Sequence, residues 1–238
     1  MSASVVVILP AYNAETTLAP VVRGIRSTLP SAFLLGINDG SADGTAALLR
    51  SVCDSTIDFP ENRGKGAALR AAFDAALQRD CSAVLTIDSD GQHDPAFAPS
   101  LLAALRGCHI AIGTRDLTGE QVPKHRRIAN MLSSAATRMV SGGAVRDSQS
   151  GYRAIRREVL EEVKAEGDRY EFETDFIIRA AHAGFTITNV PISTIYGPQS
   201  YFREFHDAML VMSVLWRHKG AVVRKYSPRT VGPLTDLD

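Results

Sequence analysis

Short apolar runs alternate with segments of helical periodicity over the first half of the chain. The apolar runs predict strands at Val5–Leu9, Phe33–Ile37, Ser55–Phe59, Ala83–Ile87 and His109–Gly113. The segments between them predict helices at Ala14–Thr28, from Thr45 to about Val52, at Ala67–Gln78 and at Ala96–Arg106. Pro10 is expected to end the first strand. This alternation is typical of an α/β fold in which helices flank a mainly parallel sheet.

The last third of the chain follows a different pattern. Phe185–Val190 predicts a late strand closed by Pro191, and Ile192–Tyr196 a further extended piece. From Tyr201 onward, apolar residues recur at spacings of three and four, at Phe202, Phe205, Met209, Met212 and Trp216. We therefore expect a catalytic domain over 1–200, with a nucleotide-binding half at 1–115 and an acceptor half at 116–200, followed by an amphipathic helix and tail at 201–238.

Three uses remain open for the predicted amphipathic helix. Basic residues follow its apolar face, so 201–225 could lie in a membrane interface and meet lipid phosphates. It could instead pack in the protein's own core or form a contact in a homo-oligomer. The segment Ser227–Asp238 contains Pro228, Gly232 and Pro233 and is expected to be frayed.

Composition narrows the functional classes. The chain has 238 residues, 45% of them hydrophobic, and zero formal net charge, so no overall field favours nucleic acid. Between Arg115 and Arg157 the sequence contains nine Lys or Arg residues and only three acidic residues. This excess predicts a basic surface that could bind phosphate. Three widely spaced cysteines suggest neither disulfides nor a zinc site. With no signal-type or spanning segment, we expect a cytoplasmic protein, either soluble or peripheral on the cytoplasmic face of a membrane.

Two carboxylates stand at the end of the predicted fourth strand. Asp88 and Asp90 are two residues apart, so in extended chain they point to one side, and Gln92 adds an amide oxygen. A divalent cation that also holds a diphosphate would relieve the repulsion between them, which suits a nucleotide sugar. A plain turn is the alternative. A calcium loop of the EF-hand type is not supported, because His93 and Pro99 stand where it needs Gly and Glu.

The polar residues after successive strands are expected to meet. In parallel sheets, ligands bind beyond the carboxyl ends of the strands, and each predicted loop lies on that edge. The residues expected to converge there are Asn13, Asp39, Asn62, Lys65, Asp88, Asp90 and Arg115. The Walker loop and the Rossmann glycine motif are absent from the sequence, so neither an ATPase nor a dehydrogenase is supported.

The motifs in these loops resemble those of family 2 glycosyltransferases with the GT-A fold. In order they read LPAYNAE (9–15), NDGSADGT (38–45), NRGKG (62–66), DSDGQH (88–93) and GTR (113–115). DSQSGYR (147–153) and YEFETD (170–175) are similar to motifs of the polyprenol-phosphate or dolichol-phosphate mannosyltransferase group. The resemblance implies a metal-dependent transferase of mannose or glucose from a nucleotide diphosphate sugar, such as GDP-mannose or UDP-glucose, to a polyprenyl phosphate.

The resemblance also implies roles for individual residues. The base would be bordered by Pro10, Ala11, Tyr12, Asn13 and Glu15, with Asp39 near the base or ribose. Asp88, Asp90 and Gln92 would belong to the site of the diphosphate and its Mg²⁺ or Mn²⁺ ion, with Asp90 and Gln92 expected to be the direct metal ligands. The acceptor phosphate would meet Arg115, Arg127 and Ser133, and Arg153 is added because guanidinium groups bind phosphate through two nitrogens. We also count Lys65 and Ser89 as nucleotide contacts.

The sequence departs from the family pattern in two respects. Asn38 stands where the family usually has a second Asp, which puts that base or ribose contact in question. Transmembrane helices, which often follow the catalytic domain in the family, are not evident in this sequence.

The chemistry leaves two enzymes and one binding protein open. A phosphate acceptor is already ionised, so it attacks without a general base, and direct displacement inverts the anomeric carbon. The metal ion at Asp88 and Asp90, together with Arg115, Arg127 and Arg153, would then stabilise the departing diphosphate, although structural salt bridges are the alternative for the arginines. A hydroxyl acceptor of a glycan or small molecule would need a base, for which Asp175 is the candidate, with Glu173 next. A non-catalytic nucleotide-sugar-binding subunit is the third hypothesis.

Overall fold

The computed structural model describes residues 5–115, 137–138, 145–193, 212–214, 216–218 and 227–234. The strands are β1 (Val5–Ala11), β2 (Phe33–Asn38), β3 (Ser55–Asp58), β4 (Ala83–Thr86), β5 (Ile110–Arg115), β6 (Arg153–Arg156) and β7 (Ile187–Ile192). The helices are α1 (Leu18–Thr28), α2 (Thr45–Val52), α3 (Lys65–Leu77), α4 (Ala98–Ala104), α5 (Arg157–Glu162) and α6 (Glu171–His182). A single 3-10 turn, Pro95–Phe97, precedes α4.

The strands form one sheet in the order β3-β2-β1-β4-β6-β5-β7. β1 pairs in parallel with β2 and β4, β2 with β3, and β5 with β7. β6 runs antiparallel to both of its neighbours, β4 and β5. The carboxyl ends of β1, β2 and β4 therefore share an edge, and the pairing of Thr86 with Arg153 brings the residues before β6 to the same edge.

The core lies on both faces of this sheet. All seven residues of β1 are buried. Val5, Val7 and Leu9 pack with α1 and α4 on one face, whereas Val6 and Ile8 pack with α3, α5 and α6 on the other. Because successive side chains of a strand point to opposite faces, a continuous apolar run is what two covered faces require.

The predicted α/β architecture and its first five strands are confirmed, with differences at the boundaries. β1 continues through Pro10 to Ala11, so the prediction that Pro10 ends the strand is wrong. Residues 14–17 form a turn, and α1 begins only at Leu18. β7 runs as one strand through Pro191 to Ile192, where a break at Pro191 was predicted; residues 194–196 of the second predicted piece lie outside the described residues. Among the described strands β7 lies at the edge of the sheet, a position that tolerates proline.

The C-terminal tail carries no regular element over 227–234, but it is not frayed there. Arg229 forms a two-pronged ion pair with Glu162, at 2.6 and 2.7 Å. The buried Arg156 donates to the carbonyl of Gly232 at 2.9 Å, and Leu234 packs against the core. The expectation of a loose tail is corrected for this stretch, because these contacts bind it to the domain.

The predicted amphipathic helix lies mostly outside the described residues. Residues 212–214 and 216–217 are helical, with Val214 buried and Met212 and Trp216 exposed by 61% and 70%. Two large apolar side chains four residues apart therefore face outward. Within the described part of the chain, no helix is long and apolar enough to cross a membrane.

Candidate functional site

Asp88 stands directly beyond β4, where the strand ends and the chain turns. Its Oδ1 lies 2.7 Å from Nζ of Lys65, and its Oδ2 lies 3.7 Å from Nε2 of the buried His93. Burial raises the pKa of Asp88, but the Lys65 ammonium and the nearby His93 outweigh it and hold the pKa well below its usual range. Asp88 is therefore an ionised carboxylate that is already bound to a cation of the protein.

Lys65, the first residue of α3, bridges two acids. Besides Asp88, its ammonium lies 3.1 Å from Oε2 of Glu173, in the first turn of α6. Burial alone would lower the pKa of Lys65, but the two carboxylates outweigh it and raise the pKa above its ordinary value. Lys65 is thus a permanently charged ammonium that joins the predicted nucleotide half of the domain to the acceptor half.

Asp90 differs from Asp88 in its partners. Its Oδ1 accepts a hydrogen bond from the backbone N–H of Gln92 at 2.9 Å. Burial and then the negative charge of Asp88 raise its pKa. No lysine or arginine among the described residues forms an ion pair with it. Asp90 is therefore the carboxylate of this turn that an added cation would stabilise most.

The side chains at the turn after β4 supply some, but not all, of the ligands that a hard divalent cation needs. Carboxylate and amide oxygens suit Mg²⁺ and Mn²⁺, and Asp90 and Gln92 supply both kinds. Asp88 is bound by Lys65, which favours Asp90 and Gln92 as the direct ligands. Within the described ranges, no cluster of three or more His, Cys, Asp or Glu side chains could hold a metal by itself. Further ligands would have to come from the substrate or from water.

A glycine of the 147–153 motif shapes the same turn. Gly151, two residues before β6, lies against the carboxylate of Asp88. A Cβ atom at this position would come within 2.4 Å of Oδ2 of Asp88. The neighbouring carbonyl of Gly151 accepts a hydrogen bond from Thr86 at 2.7 Å. This segment therefore forms the wall against which Asp88 is set.

The loops after β1 and β2 are joined to each other. The side chain of Asn13 accepts from the backbone N–H of Ala42 at 2.9 Å, and its own N–H donates to Ser41 at 3.0 Å. Glu15 accepts from the N–H of Gly44 at 3.0 Å. Tyr12 lies 37% exposed on this edge, so its ring is accessible to a ligand.

More of the predicted nucleotide contacts lie within this edge of the sheet and have protein partners there. Ser89 is buried and donates to the carbonyl of Pro10 at 3.0 Å, which ties the β4 loop to β1; Ala11 is the buried last residue of β1. Asp39 is buried and accepts from the N–H groups of Arg63 and Gly64 at 2.7 and 2.9 Å. Burial raises the pKa of Asp39, and those hydrogen bonds offset part of the rise.

The departure at position 38 has a structural reason. The side-chain amide of Asn38 donates to Asp58 at 3.0 Å, and its oxygen accepts from the N–H of Ser41 at 3.0 Å. An aspartate at this position would place two carboxylates against each other. Asn38 is therefore matched to Asp58 and braces the loop after β2.

The arginines predicted to meet the acceptor phosphate have other partners. Arg115 binds Asp147 through two nitrogens, at 2.7 and 3.0 Å, and the Arg115 charge holds the pKa of the buried Asp147 below its usual range despite the opposing effect of burial. Arg153 is buried and donates to the carbonyls of Ser148, Ser150 and Glu173 at 2.9, 2.8 and 3.1 Å.

This arrangement makes Arg153 a brace of the fold, so the geometry does not support its predicted contact with phosphate. Arg127 and Ser133 lie outside the described residues.

Asp175, the predicted base of the alternative enzyme, is completely buried. Its Oδ2 accepts from Nε of Arg179 at 2.6 Å and from the N–H of Glu166 at 2.8 Å. Its Oδ1 lies 2.8 Å from Nε2 of His218. Both oxygens are engaged, so the geometry speaks against Asp175 as a base and assigns it a structural role.

Sequence reasoning missed two parts of this site. From the sequence, Glu173 was considered only as an alternative base, whereas in the structure Glu173 contacts Lys65. Gly151 belongs to the 147–153 motif, but nothing in that motif shows that β6 is inserted beside β4. The signal for Glu173 was its alternation with the neighbouring acids; Gly151 gave no signal of its own.

The sequence matches the model of glycosyl transferase family 2 over residues 6–164. It is 34% identical over 200 residues to the polyprenol monophosphomannose synthase of Mycolicibacterium smegmatis, covering 79% of this chain and 76% of that one. It is 30% identical over 202 residues to the undecaprenyl-phosphate mannosyltransferase of Micrococcus luteus, covering 80% and 83%.

The fold is similar to that of a solved enzyme. Glucosyl-3-phosphoglycerate synthase from Mycobacterium tuberculosis, in complex with Mn²⁺, UDP and phosphoglyceric acid, superposes with a TM-score of 0.75. The superposition covers 92% of this chain and 79% of that one, at 22% sequence identity. At this identity the likeness shows the fold alone.

Proposed function

This chain belongs to glycosyl transferase family 2 and has the GT-A fold, and we propose that it transfers a hexose from a nucleotide diphosphate sugar to a polyprenyl phosphate. The observation that carries the proposal is the turn after β4. There a half-buried Asp90, whose pKa is raised by desolvation and by Asp88, lies where the loops after β1, β2 and β4 meet. Family membership makes the chain a glycosyltransferase, so a non-catalytic binding subunit is not favoured.

Asp90 and Gln92 would hold Mg²⁺ or Mn²⁺ in this enzyme. Such an ion neutralises charge on the diphosphate that leaves the sugar. The protein keeps Asp90 in place through the hydrogen bond from Gln92 N–H. Asp88, held by Lys65, would carry the negative charge that keeps the turn attractive to a cation without competing as a ligand.

The loops after β1 and β2 would bind the nucleoside part of the donor. The exposed side chain of Tyr12 offers a face for a base. The side chains of Asn13 and Glu15 accept hydrogen bonds from the backbone N–H groups of Ala42 and Gly44 in the second loop, and these bonds fix the edge on which the base would lie. Asp39 would act mainly by holding the loop that begins at Asn62, since its oxygens already accept from Asn62, Arg63 and Gly64.

A phosphate acceptor suits this site better than a hydroxyl. A phosphate oxygen is ionised at neutral pH and needs no base, and direct displacement by it would invert the anomeric carbon. A hydroxyl would need a carboxylate within hydrogen-bond reach, and Asp175 is buried and bound on both oxygens. Arg127 and Ser133 remain the proposed contacts of the acceptor phosphate, with Arg115 nearby but bound to Asp147.

The acceptor has a lipid tail, so we place a membrane contact at the exposed face of the 212–217 segment. Met212 and Trp216 are exposed, while Val214 between them is buried against the protein. An outward apolar face fits a lipid surface better than a core helix. Vesicle co-sedimentation tests this: Trp216→Ser should reduce binding to vesicles that contain anionic lipid, and unchanged binding would contradict it.

The transfer itself is tested with purified protein, Mn²⁺, a short-chain polyprenyl phosphate and either GDP-mannose or UDP-glucose. We expect a sugar-bearing lipid from one of the two donors, and none when the same polyprenol lacks its phosphate. Transfer to a soluble hydroxyl acceptor, with none to the polyprenyl phosphate, would overturn the proposal.

A further inference from the structure

Lys65 introduces a fixed positive charge into the site proposed for a divalent cation. Its ammonium lies 2.7 Å from Asp88, which stands two residues before Asp90. The side chain is 16% exposed, so water screens this charge weakly. A cation approaching Asp90 therefore meets the repulsion of Lys65 as well as the attraction of the two aspartates.

Glu173 supplies the opposite charge on the far side of Lys65. Its side chain is 6% exposed and lies 3.1 Å from the ammonium. Glu173 is also 3.9 Å from the buried Arg153, whose guanidinium is held by backbone carbonyls. Four charges that alternate in sign therefore lie in a row beside the turn after β4, the first two half-buried and the last two buried: Asp88, Lys65, Glu173 and Arg153.

The backbone around Lys65 leaves it little freedom to move away. Gly64, at φ +99°, adopts a conformation that favours glycine, and a Cβ there would come within 2.3 Å of the carbonyl of Asp168. A Cβ at Gly66 would come within 2.6 Å of the Cβ of Phe172. The N–H of Ala67 donates to the Asp168 carbonyl at 3.1 Å. The start of α3 is therefore clamped against the segment that carries Glu173.

We infer that Lys65 and Glu173 together set the affinity of the turn for a divalent cation, Lys65 lowering it and Glu173 raising it. This inference rests on the proposed function, since it concerns the ion that would accompany the donor. With Lys65 bound to Asp88, the free protein holds such an ion weakly. A bound nucleoside diphosphate adds negative charge, which counteracts the repulsion between Lys65 and the ion. The ion is therefore retained mainly when the nucleotide is bound.

Mn²⁺ binding to the full chain tests the inference without any turnover. Free Mn²⁺ is measured by electron paramagnetic resonance, first without nucleotide. Lys65→Met removes a positive charge and should tighten Mn²⁺ binding about tenfold or more, and Glu173→Gln should weaken it by a similar factor. The double variant restores the balance of charge and should bind Mn²⁺ within about threefold of the wild type.

Glu171→Gln is the matched control. Glu171 lies in the same first turn of α6 and loses the same charge, but its Oε1 accepts from the N–H groups of Asp168 and Arg169, at 3.1 and 3.3 Å. We expect it to change Mn²⁺ affinity less than about twofold. If Lys65→Met does not fold, the double variant is compared with Glu173→Gln and should bind Mn²⁺ about tenfold more tightly.

The outcomes separate this inference from the proposed function. Shifts of the same sign in Lys65→Met and Glu173→Gln, or no shift in folded variants, overturn the inference. When the inference is overturned in this way, the proposed function still stands if the wild type binds Mn²⁺ in the presence of UDP or GDP. A wild type that binds no Mn²⁺ with either nucleotide overturns both.

Discussion

The imidazole of His218 lies 2.8 Å from Oδ1 of the fully buried Asp175. Arg179 and the N–H of Glu166 bind the other oxygen of that carboxylate. Asp175 therefore links α6, whose first turn carries Glu173, to the segment that displays Trp216. A motif position that the sequence marked as a possible base serves instead to attach the C-terminal segment to the domain.

Asp175→Asn should destabilise the fold and leave the chemistry largely intact. Loss of this buried charge leaves His218 without its acidic partner and leaves Arg179 with Glu166 alone, and should cost about 3 kcal/mol of unfolding free energy. Asp168→Asn is the control, because its ion pair with Arg70 is exposed and should contribute less than about 1 kcal/mol. Urea unfolding and the transfer rate of the folded protein are measured together. A base role would show the opposite pattern, with a rate loss of about 10²–10⁴-fold at unchanged stability.

Gly151→Ala should displace Asp88. The added methyl would overlap Oδ2 of Asp88, so the carboxylate must shift from the position in which Lys65 binds it. We expect Mn²⁺-dependent binding of the nucleotide to weaken about tenfold and the unfolding free energy to fall by about 1–3 kcal/mol. Gly107→Ala is the control, since its nearest neighbour would be 3.9 Å away. Calorimetry that finds equal nucleotide affinity in both variants would show that the position of Asp88 has no role in binding.

The pair of Arg115 and Asp147 should make stability depend on pH. The folded-state pKa of Asp147 lies below the ordinary value of 3.8, so its contribution is present above that value and is lost as the pH falls through the folded pKa. The difference in unfolding free energy between the wild type and Asp147→Asn should be about 3 kcal/mol at pH 7 and smaller at pH 3. Urea titrations at the two pH values check this. A difference that does not shrink would mean that the pair does not lower the pKa.

Strands formed by apolar runs were predicted from the sequence. The strand whose buried positions include charged residues, β6, was not predicted. β1 and β4 are continuous apolar runs and were recognised from them. β6 begins and ends with buried arginines, which sequence patterns assign to the surface. Their guanidiniums are satisfied by carbonyls that are distant in sequence, including Leu105 for Arg156. Such acceptors are known only once the chain has folded.

In the site, too, the meeting of the loops was predictable from the sequence, but the partners of the charged side chains were not. Topology alone predicted that loops after parallel strands would meet, and the structure brings Asn13 to Ser41, Asp39 to Arg63, and Lys65 to Asp88. The partners of each charge were not predictable, because they depend on side-chain geometry. Arg115 and Asp175 both have ion-pair partners that residue type does not reveal.

Titration of GDP and UDP into the protein, with and without Mn²⁺, tests the central claim most directly when wild type is compared with Asp90→Asn. The claim predicts that one nucleotide binds the wild type, that Mn²⁺ strengthens this binding, and that Asp90→Asn removes the Mn²⁺ effect while its melting temperature stays near that of the wild type. Equal Mn²⁺-dependent binding in the two proteins would contradict it.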